Sequence, residues 1–590
     1  MHIKKFESSY SKTLIISLFV AFLLILNIKI INNVTPIGYV LDIYSQLNEK
    51  FWLISILIYF LGCILILQKE ILIRRAGIFF LLLNYIIPFF VPYRLMYYTY
   101  GTSDELYHIG EFKSIISNGI IDPDNIYPNT HIIYSLISLL CNLNPNIVSL
   151  ILPLFFSLLF ILGIYLLSKK ILSFEPESIK IVVPVSLIYY FGHFHFSNVP
   201  NYTSLTIIPI FSYSLIRYAQ RRSFSNSVML TVFILFIPFS HPFVFLFISY
   251  ILFSVLLYQN ILQPKLNIKS KISNFNTIIW LYIITFFFWF TNGMYMNTFF
   301  KIYNSFVKHL LEPVLVESLD KVSVLNLSEI DLVKFIFIYG GRFLIPLIVI
   351  FIFLIFISIN KEKISNYKLK PISYLIIMLV LFGSFQLFFL LNPFIVHSPD
   401  RITNLNFAVF IFIPLFSIAI KYLLNIDYKS NNWKKTIFFS FILSMIFASS
   451  LYGAFYSPYI HRPNIAGTYN EVQGMEWLFT YKGEMPIYDL AGDVGYRYSI
   501  LINGISETKD RYGKDIFWST AKIPDHFGYD QNKSFIDEYK YIVITSRSKL
   551  LYTSLYSELE RYNYEDFFKF ENDPNVVKLY DSLNINIYLA

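Results

Sequence analysis

The sequence predicts a polytopic α-helical membrane protein, with about thirteen transmembrane helices over residues 1–456, followed by a water-soluble extracytoplasmic α/β domain over residues 457–590. Three observations carry this. The 590-residue chain is 56% hydrophobic, with a mean hydropathy of +0.56. Its apolar runs recur at close to the length that crosses a hydrocarbon core of about 30 Å. Its charge also changes sign: residues 1–456 hold 33 Lys and Arg against 19 Asp and Glu, net +14, whereas residues 457–590 hold 14 against 19, net −5.

The runs fall at 12–32, 51–68, 74–95, 147–168, 180–192, 203–219, 226–240, 242–259, 276–292, 332–358, 371–391, 405–424 and 435–456. The first has a basic lead (Lys4, Lys5, Lys12) but is long and has no small-residue cleavage site, so it reads as a retained helix. Basic clusters occupy alternate links: Lys69/Arg74/Arg75, Lys169/Lys170, Arg217/Arg221/Arg222, Lys265/Lys269/Lys271, Lys361/Lys363/Lys368/Lys370 and Lys429/Lys434/Lys435. Such links face the cytoplasm. The chain is therefore expected in the plasma membrane with a cytoplasmic N-terminus and an external tail. A full crossing at 132–141 would break the alternation, so that segment is expected to lie along the outer interface. Residues 297–331 alternate Phe and Leu with Lys and Glu at helical spacing, which suits a surface helix acting either as a lid or passively.

Beyond residue 456 long apolar runs vanish. Strand-like pieces at 485–490, 541–545, 576–580 and 585–589 alternate with helical stretches at 468–479 and 551–562, an α/β pattern. This part has no phosphate-cradling glycine loop, nucleophile elbow or metal spacing. Cys63 and Cys141 are two lone thiols in apolar surroundings, neither a disulfide framework nor a metal knuckle. The basic residues set membrane orientation, so nucleic acid is not an expected partner.

The chemistry gathers in the first large outer loop, residues 96–146, and above all in GTSDELYHIGEFKSIISNGIIDPDNIYPNTH from Gly101 to His131. Ser103 is expected to cap a helix whose first turn holds Asp104 and Glu105, where acids suit the positive helix end. Asp104, His108 and Glu111 follow at i, i+4 and i+7 and share a face. Read alone, this is either a capped surface helix or an acid/base site. A divalent metal held by Asp104, His108, Glu111 and His131 is a further option for such ligand types, but no spacing fixes it. The other external segments add His193 and His195, His241 at a tight corner, and Arg401 beside His397 and Asp400. Arg401 reads either as an interface anchor or as a partner for a lipid phosphate, whose oxygens match the guanidinium fork.

The run Asp104-Glu105-Leu106-Tyr107-His108-Ile109-Gly110-Glu111-Phe112, followed by Tyr127-Pro128-Asn129-Thr130-His131, resembles the first external loop of protein O-mannosyltransferases. That loop carries an Asp-Glu pair, an aromatic/His-Gly-Lys-Phe run and a His-Pro-Pro segment. The wider class is the type C (GT-C) glycosyltransferases, and thirteen helices with an external C-terminal domain resemble its lipid A aminoarabinose transferase branch. The heavy use of Ile, Asn, Lys and Tyr suits an archaeal or other low-GC prokaryotic source. The chain departs from the mannosyltransferase pattern in two extra helices before the loop, in the inserted Tyr107, and in Tyr127-Pro128-Asn129 replacing His-Pro-Pro.

The resemblance implies a glycosyltransferase, hexosyl or pentosyl, that moves a sugar from a polyprenyl-phosphate donor to a hydroxyl on a lipid, glycan or protein acceptor. It makes Asp104 the general base and Glu105 its catalytic neighbour. Arg401 would hold the donor phosphate, and His108, Glu111, Tyr127, His131 and His241 would line the pocket, with no metal or other cofactor. Two alternatives stay open: a metal-dependent oligosaccharyltransferase-like enzyme, although no WWD-like signature accompanies Met475-Glu476-Trp477, and a lipid or polysaccharide transporter or flippase. The latter would place ionisable residues near the bilayer midplane.

Overall fold

The computed structural model describes residues 2–122, 125, 127–172, 176–257, 276–291, 328–359, 366–391, 405–424, 433–490, 494–505, 507–508, 517–518, 523–531 and 539–590. It is a multi-pass helical membrane bundle carrying a C-terminal sheet domain. Among the described residues seven helices are long and apolar enough to cross a membrane: Ser11–Asn32, Glu49–Ile66, Ile71–Arg94, Pro145–Ile171, Glu329–Ile359, Asn406–Leu424 and Trp433–Tyr452. Shorter apolar helices cover Phe224–Phe236, Phe247–Leu257, Thr277–Phe288 and Ile372–Leu387.

We number the helices α1 (His2–Asn32), α2 (Glu49–Ile66), α3 (Ile71–Ile86), α4 (Asp104–Asn118), α5 (Pro128–Cys141), α6 (Pro145–Ile171), α7 (Pro176–Ser186) and α8 (Pro200–Gln220). Then follow α9 (Phe224–Phe236), α10 (Pro242–Leu257), α11 (Asn276–Thr291), α12 (Gly341–Ile359), α13 (Asn366–Leu391), α14 (Val409–Leu424) and α15 (Trp433–Tyr452). Two expected crossings take another form. The run at 180–192 gives only the 11-residue α7 and a 3-10 turn at Gly192–His195. At 1.5 Å per residue α7 reaches about 16 Å, half a bilayer core. The run at 203–219 is the 21-residue α8, long enough but polar, with Thr203, Ser204, Thr206, Ser212 and Ser214 all buried.

Small residues set the helix spacing, as in membrane bundles generally. A Cβ at Gly62 would stand 2.4 Å from Leu81, and one at Gly163 would stand 2.8 Å from Ile210, so α2 meets α3 and α6 meets α8 closely. Tyr59 stacks on Phe447 at 4.0 Å, joining α2 to α15. Helix α5 is amphipathic: Thr130, His131, Tyr134, Ser135 and Ser138 are buried, while Leu136, Leu139 and Leu140 are exposed. Its 14 residues would span about 21 Å upright, too short to cross.

The C-terminal domain holds α16 (Tyr469–Tyr481), α17 (Val494–Asn503) and α18 (Tyr564–Glu571) around a five-stranded sheet. Its strands are β3 (Ile487–Asp489), β4 (Phe517–Trp518), β5 (Tyr541–Thr545), β6 (Val577–Asp581) and β7 (Ile585–Leu589), in the order β4-β3-β5-β7-β6. Strands β4, β3 and β5 are parallel, and β7 is antiparallel to both β5 and β6. The expected helix at 551–562 is instead a five-residue helix at Ser546–Leu550 running into a π turn at Leu551–Leu555 and a 3-10 turn at Ser557–Leu559. A capping box at Thr545 and Ser548 starts the helix early, and Glu560, at φ +48°, stops it.

This domain is bound to the bundle through backbone. Strand β1 (Tyr97–Tyr100), which follows α3 after a 3-10 turn at Ile87–Phe90 and a short helix at Val91–Arg94, pairs antiparallel with β2 (Ala466–Thr468), directly before α16. In the link between α1 and α2, the Tyr39 amide donates to Asn584 Oδ1 at 3.0 Å, and the Tyr39 hydroxyl donates to the Asn464 carbonyl at 2.7 Å. Helix α17 lies along α4, where a Cβ at Gly110 would stand 2.5 Å from the Ile500 carbonyl oxygen. Gly110→Leu should therefore pry α17 off α4 at a cost of about 1–3 kcal/mol. Limited proteolysis of the full chain should then release the C-terminal domain faster than from wild type, and an unchanged rate would show that the contact does not secure the domain.

Candidate active site

The acidic segment is positioned at both ends. Strand β1 is pinned by β2, and Gly101 then turns the chain at φ +139°, where a Cβ would stand 2.0 Å from Glu105 Cδ. Only glycine fits this turn. It delivers Asp104 and Glu105 to the first turn of α4. The expected Ser103 cap is not made, because Ser103, at φ −111° and ψ −108°, turns away and gives no side-chain capping bond.

The two acids have different surroundings. Asp104 is half-exposed and takes a 2.8 Å ion pair from Arg497 Nη2 of α17. The same guanidinium lies 5.7 Å over the Tyr107 ring. Glu105 is buried, and desolvation, with a contribution from Asp104, pushes its carboxyl up to about 7. The Ser197 side chain hydrogen-bonds that carboxyl, and Asn198 Nδ2 donates to the Glu105 carbonyl at 3.4 Å. The acid pair is thus tied to the turn at 192–198. A carboxyl poised near neutrality is suited to proton transfer and is enriched at functional sites.

One helical turn further, His108 and Glu111 face inward. Asn125 Nδ2 donates to Glu111 Oε2 at 2.6 Å, His131 Nδ1 lies 2.8 Å from Asn125 Oδ1, and His131 Nε2 lies 2.9 Å from His108 Nδ1. Burial holds both imidazoles neutral: His108 is pushed down to about 3, with Arg497 and His241 adding to the effect, and His131 lies well below its usual value. The Tyr127 ring stacks on His241, centroids 5.2 Å apart and planes within 7°.

Seven of the eight residues singled out from the sequence therefore gather in one cluster: Asp104, Glu105, His108, Glu111, Tyr127, His131 and His241. Arg401 lies outside the described residues, as do His397, Asp400 and residues 297–327. The two imidazoles point ring nitrogens at each other, and Asp104 pairs with Arg497. Among the described residues no three His, Cys, Asp or Glu side chains converge on a metal position.

Sequence reading missed Arg342. It lies in a buried position in the 329–359 helix, level with the end of α15, where its Nη1 donates to the Gly453 carbonyl at 3.3 Å. Its Nε has no hydrogen-bond partner, and no carboxylate is within ion-pair distance, among the described residues. The approach is tight: Cβ atoms at Gly192 and Gly453 would stand 2.9 and 3.4 Å from Nη1. Arg342 lines a cavity of about 380 Å³ together with Arg462, His193 and the apolar side chains Phe191, Phe194, Ile336, Tyr339 and Phe343. The cavity shares the 192–198 turn with Glu105 but does not include Asp104 in its wall. The available signal was an arginine well inside an apolar run, two turns beyond the Lys334 at its start, which is a functional-site mark by default. A π turn at Ile336–Gly340 sits directly before it.

No protein-family model matches the chain, and no curated protein matches it in sequence. Solved structures similar to it include the oligosaccharyltransferase of Archaeoglobus fulgidus in the apo form, at 11% identity and TM-score 0.44, over 86% of this chain and 71% of that one. The same enzyme tethered to an acceptor peptide containing the NVT sequon matches at 11% identity and TM-score 0.45, over 87% and 70%. ArnT from Cupriavidus metallidurans in the apo state matches at 10% identity and TM-score 0.44, over 84% and 94%.

The Glu105 carboxyl binds its proton more tightly folded, at about 7, than at its ordinary 4.5. Below 4.5 the group is protonated in both states, and the stability it contributes relative to higher pH is lost as pH rises through 7. Glu105→Gln should thus leave the thermal midpoint unchanged at acid pH and raise it above neutrality, by an amount equivalent to a few kcal/mol at most. Equal midpoints for the two proteins across the whole range would show that Glu105 is not desolvated.

Proposed function

We propose that the protein is a membrane glycosyltransferase that moves a hexosyl or pentosyl unit from a polyprenyl-phosphate donor to a hydroxyl acceptor at the extracytoplasmic face. The observation that carries this reading is Arg342: a buried guanidinium with unused donor capacity, in a largely apolar cavity, beside the turn that holds the acid pair. Such a cavity suits a ligand with an anionic head and a hydrocarbon tail. The planar fork is the donor geometry that phosphate oxygens accept in pairs. In this reading Arg342, with Arg462 in the same wall, takes the phosphate role first assigned to Arg401.

The acceptor oxygen gives its proton to Asp104 and attacks the anomeric carbon. The bond from that carbon to the phosphate oxygen breaks, and polyprenyl phosphate leaves with its charge held by arginine. Phosphate leaves readily, so one base and a fixed positive charge suffice, and no metal is required. Asp104 is the more accessible acid. Glu105, buried behind it, orients the reacting groups, with His108, Glu111, Tyr127, His131 and His241 as the surrounding wall. The N-terminus is then cytoplasmic, and the acceptor is a lipid, glycan or protein.

The test is transfer from a polyprenyl-phosphate-linked sugar by full-length protein in proteoliposomes. Asp104→Asn and Arg342→Met should each lower the rate by roughly a hundredfold or more. Asp104→Asn should leave the thermal midpoint unchanged, and a divalent-metal chelator should leave the wild-type rate unchanged. Wild-type transfer by Asp104→Asn would remove Asp104 as the base, and movement of the lipid-linked sugar across the bilayer with no transfer by the wild-type protein would overturn the reading in favour of a transporter. Loss on chelation, restored by manganese or magnesium, would replace it with a metal-dependent transferase.

A further inference from the structure

Between α4 and α5 runs a buried hydrogen-bond chain whose direction is set by a residue far from its active end. It begins at Glu111, which is 1% exposed and whose Oε2 faces Asn125 at 2.6 Å. The Tyr127 backbone N–H donates to Asn125 Oδ1 at 3.0 Å, so the atom facing Glu111 is the amide nitrogen and Oδ1 is also turned toward His131. An amide oxygen only accepts, so His131 carries its proton on Nδ1 and presents a bare Nε2. His108, 2.9 Å away, must then donate from Nδ1. Its Nε2 is left as a lone pair.

Among the described residues nothing uses that lone pair: His108 hydrogen-bonds only through Nδ1, although it is 4% exposed. Its ring stands edge-on to Tyr127, itself stacked on His241, and its proton affinity is lowered by Arg497, the partner of Asp104. His108 stands one turn along α4 from Asp104, on the same face. A neutral imidazole with a fixed acceptor is a poor proton carrier. It is a good reader of a hydroxyl, because a buried acceptor left unmatched discriminates strongly against an analogue lacking the O–H.

We infer that Glu111, Asn125 and His131 lock His108 in its Nδ1–H tautomer so that its Nε2 accepts a hydrogen bond from a hydroxyl of the sugar or of the acceptor, making His108 a positioning residue and Glu111 its remote orienter. The functional half of this inference rests on the glycosyltransferase reading, whereas the tautomer half does not.

Two measurements on the full chain in bilayers test it. The first is the nitrogen NMR spectrum of ¹⁵N-histidine-labelled protein, with His108 assigned by its loss in His108→Gln. A protonated Nδ1 and bare Nε2 in wild type, becoming a mixture of tautomers in Glu111→Gln, is the expected result. A protonated Nε2 in wild type, or no change in Glu111→Gln, would overturn the lock. The second is transfer kinetics with a polyprenyl-phosphate-linked sugar. His108→Ala should raise KM by about tenfold, and His108→Gln, which can still offer an acceptor, should recover most of the loss at an unchanged thermal midpoint. A rise confined to donor KM places the hydroxyl on the sugar, and one confined to acceptor KM places it on the acceptor. Equal loss in both variants, or a fall in kcat alone, would overturn the positioning role. If the wild-type protein shows no transfer, the glycosyltransferase reading fails while the spectrum still decides the tautomer.

Discussion

The pairing of β1 with β2 is the constraint on which the site depends. It joins residues 97–100 to residues 466–468 and so brings the soluble domain onto the acidic loop. Everything polar around Asp104 follows from this seam. Arg497 reaches the carboxylate, Arg547 reaches the Thr102 hydroxyl, and Lys113 donates to the Leu501 carbonyl at 3.5 Å. Glycines permit the approach: Gly110 lies under the Ile500 carbonyl, and a Cβ on Gly467 would stand 3.1 Å from the Thr102 methyl carbon. The seam is also dry enough to bury a second acid, Glu471, which caps α16 and is pushed up to about 7 by desolvation. The C-terminal domain is therefore a wall of the site.

The membrane half contributes a further cation, Arg342. Burying a guanidinium away from water costs several kcal/mol unless it is compensated, yet Arg342 makes one carbonyl bond and keeps Nε unsatisfied among the described residues. The surrounding backbone is shaped to accept it. A π turn precedes it, Gly192 sits at φ +56° against it, and Gly453 offers its carbonyl. Such an arrangement is poor for stability and good for binding an anion, as expected where a fold gives up stability for function. The His193 ring, packed 4.1 Å from Tyr456, is held neutral by burial and by Arg342 and Arg462, so it adds no competing charge.

Much of this was legible in the sequence because its signals are local. Hydropathy located the long apolar helices, and four of the five sheet strands showed as β-rich pieces. The i, i+4, i+7 spacing put His108 and Glu111 on the inward face. What was not legible is non-local. Nothing in the spacing tells that Asn125, on an irregular segment, bridges Glu111 to His131. Nothing in residues 494–503 announces that Arg497 will face Asp104, since that juxtaposition depends on a strand pair closed across more than 360 residues. Strand β4 is two residues long and gives no period. Arg342 was visible as a charge in an apolar run, but its meaning depends on two glycines brought to it by other helices.

The most direct test of the proposed site is an experimental structure of the full chain in a lipid bilayer with a polyprenyl-phosphate added. The phosphate should lie within hydrogen-bonding distance of the Arg342 guanidinium, with the first prenyl units against Phe194, Tyr339 and Phe343 and the phosphate's free side toward the 192–198 turn. Density for the phosphate at another surface, with Arg342 still bonded only to Gly453, would contradict it.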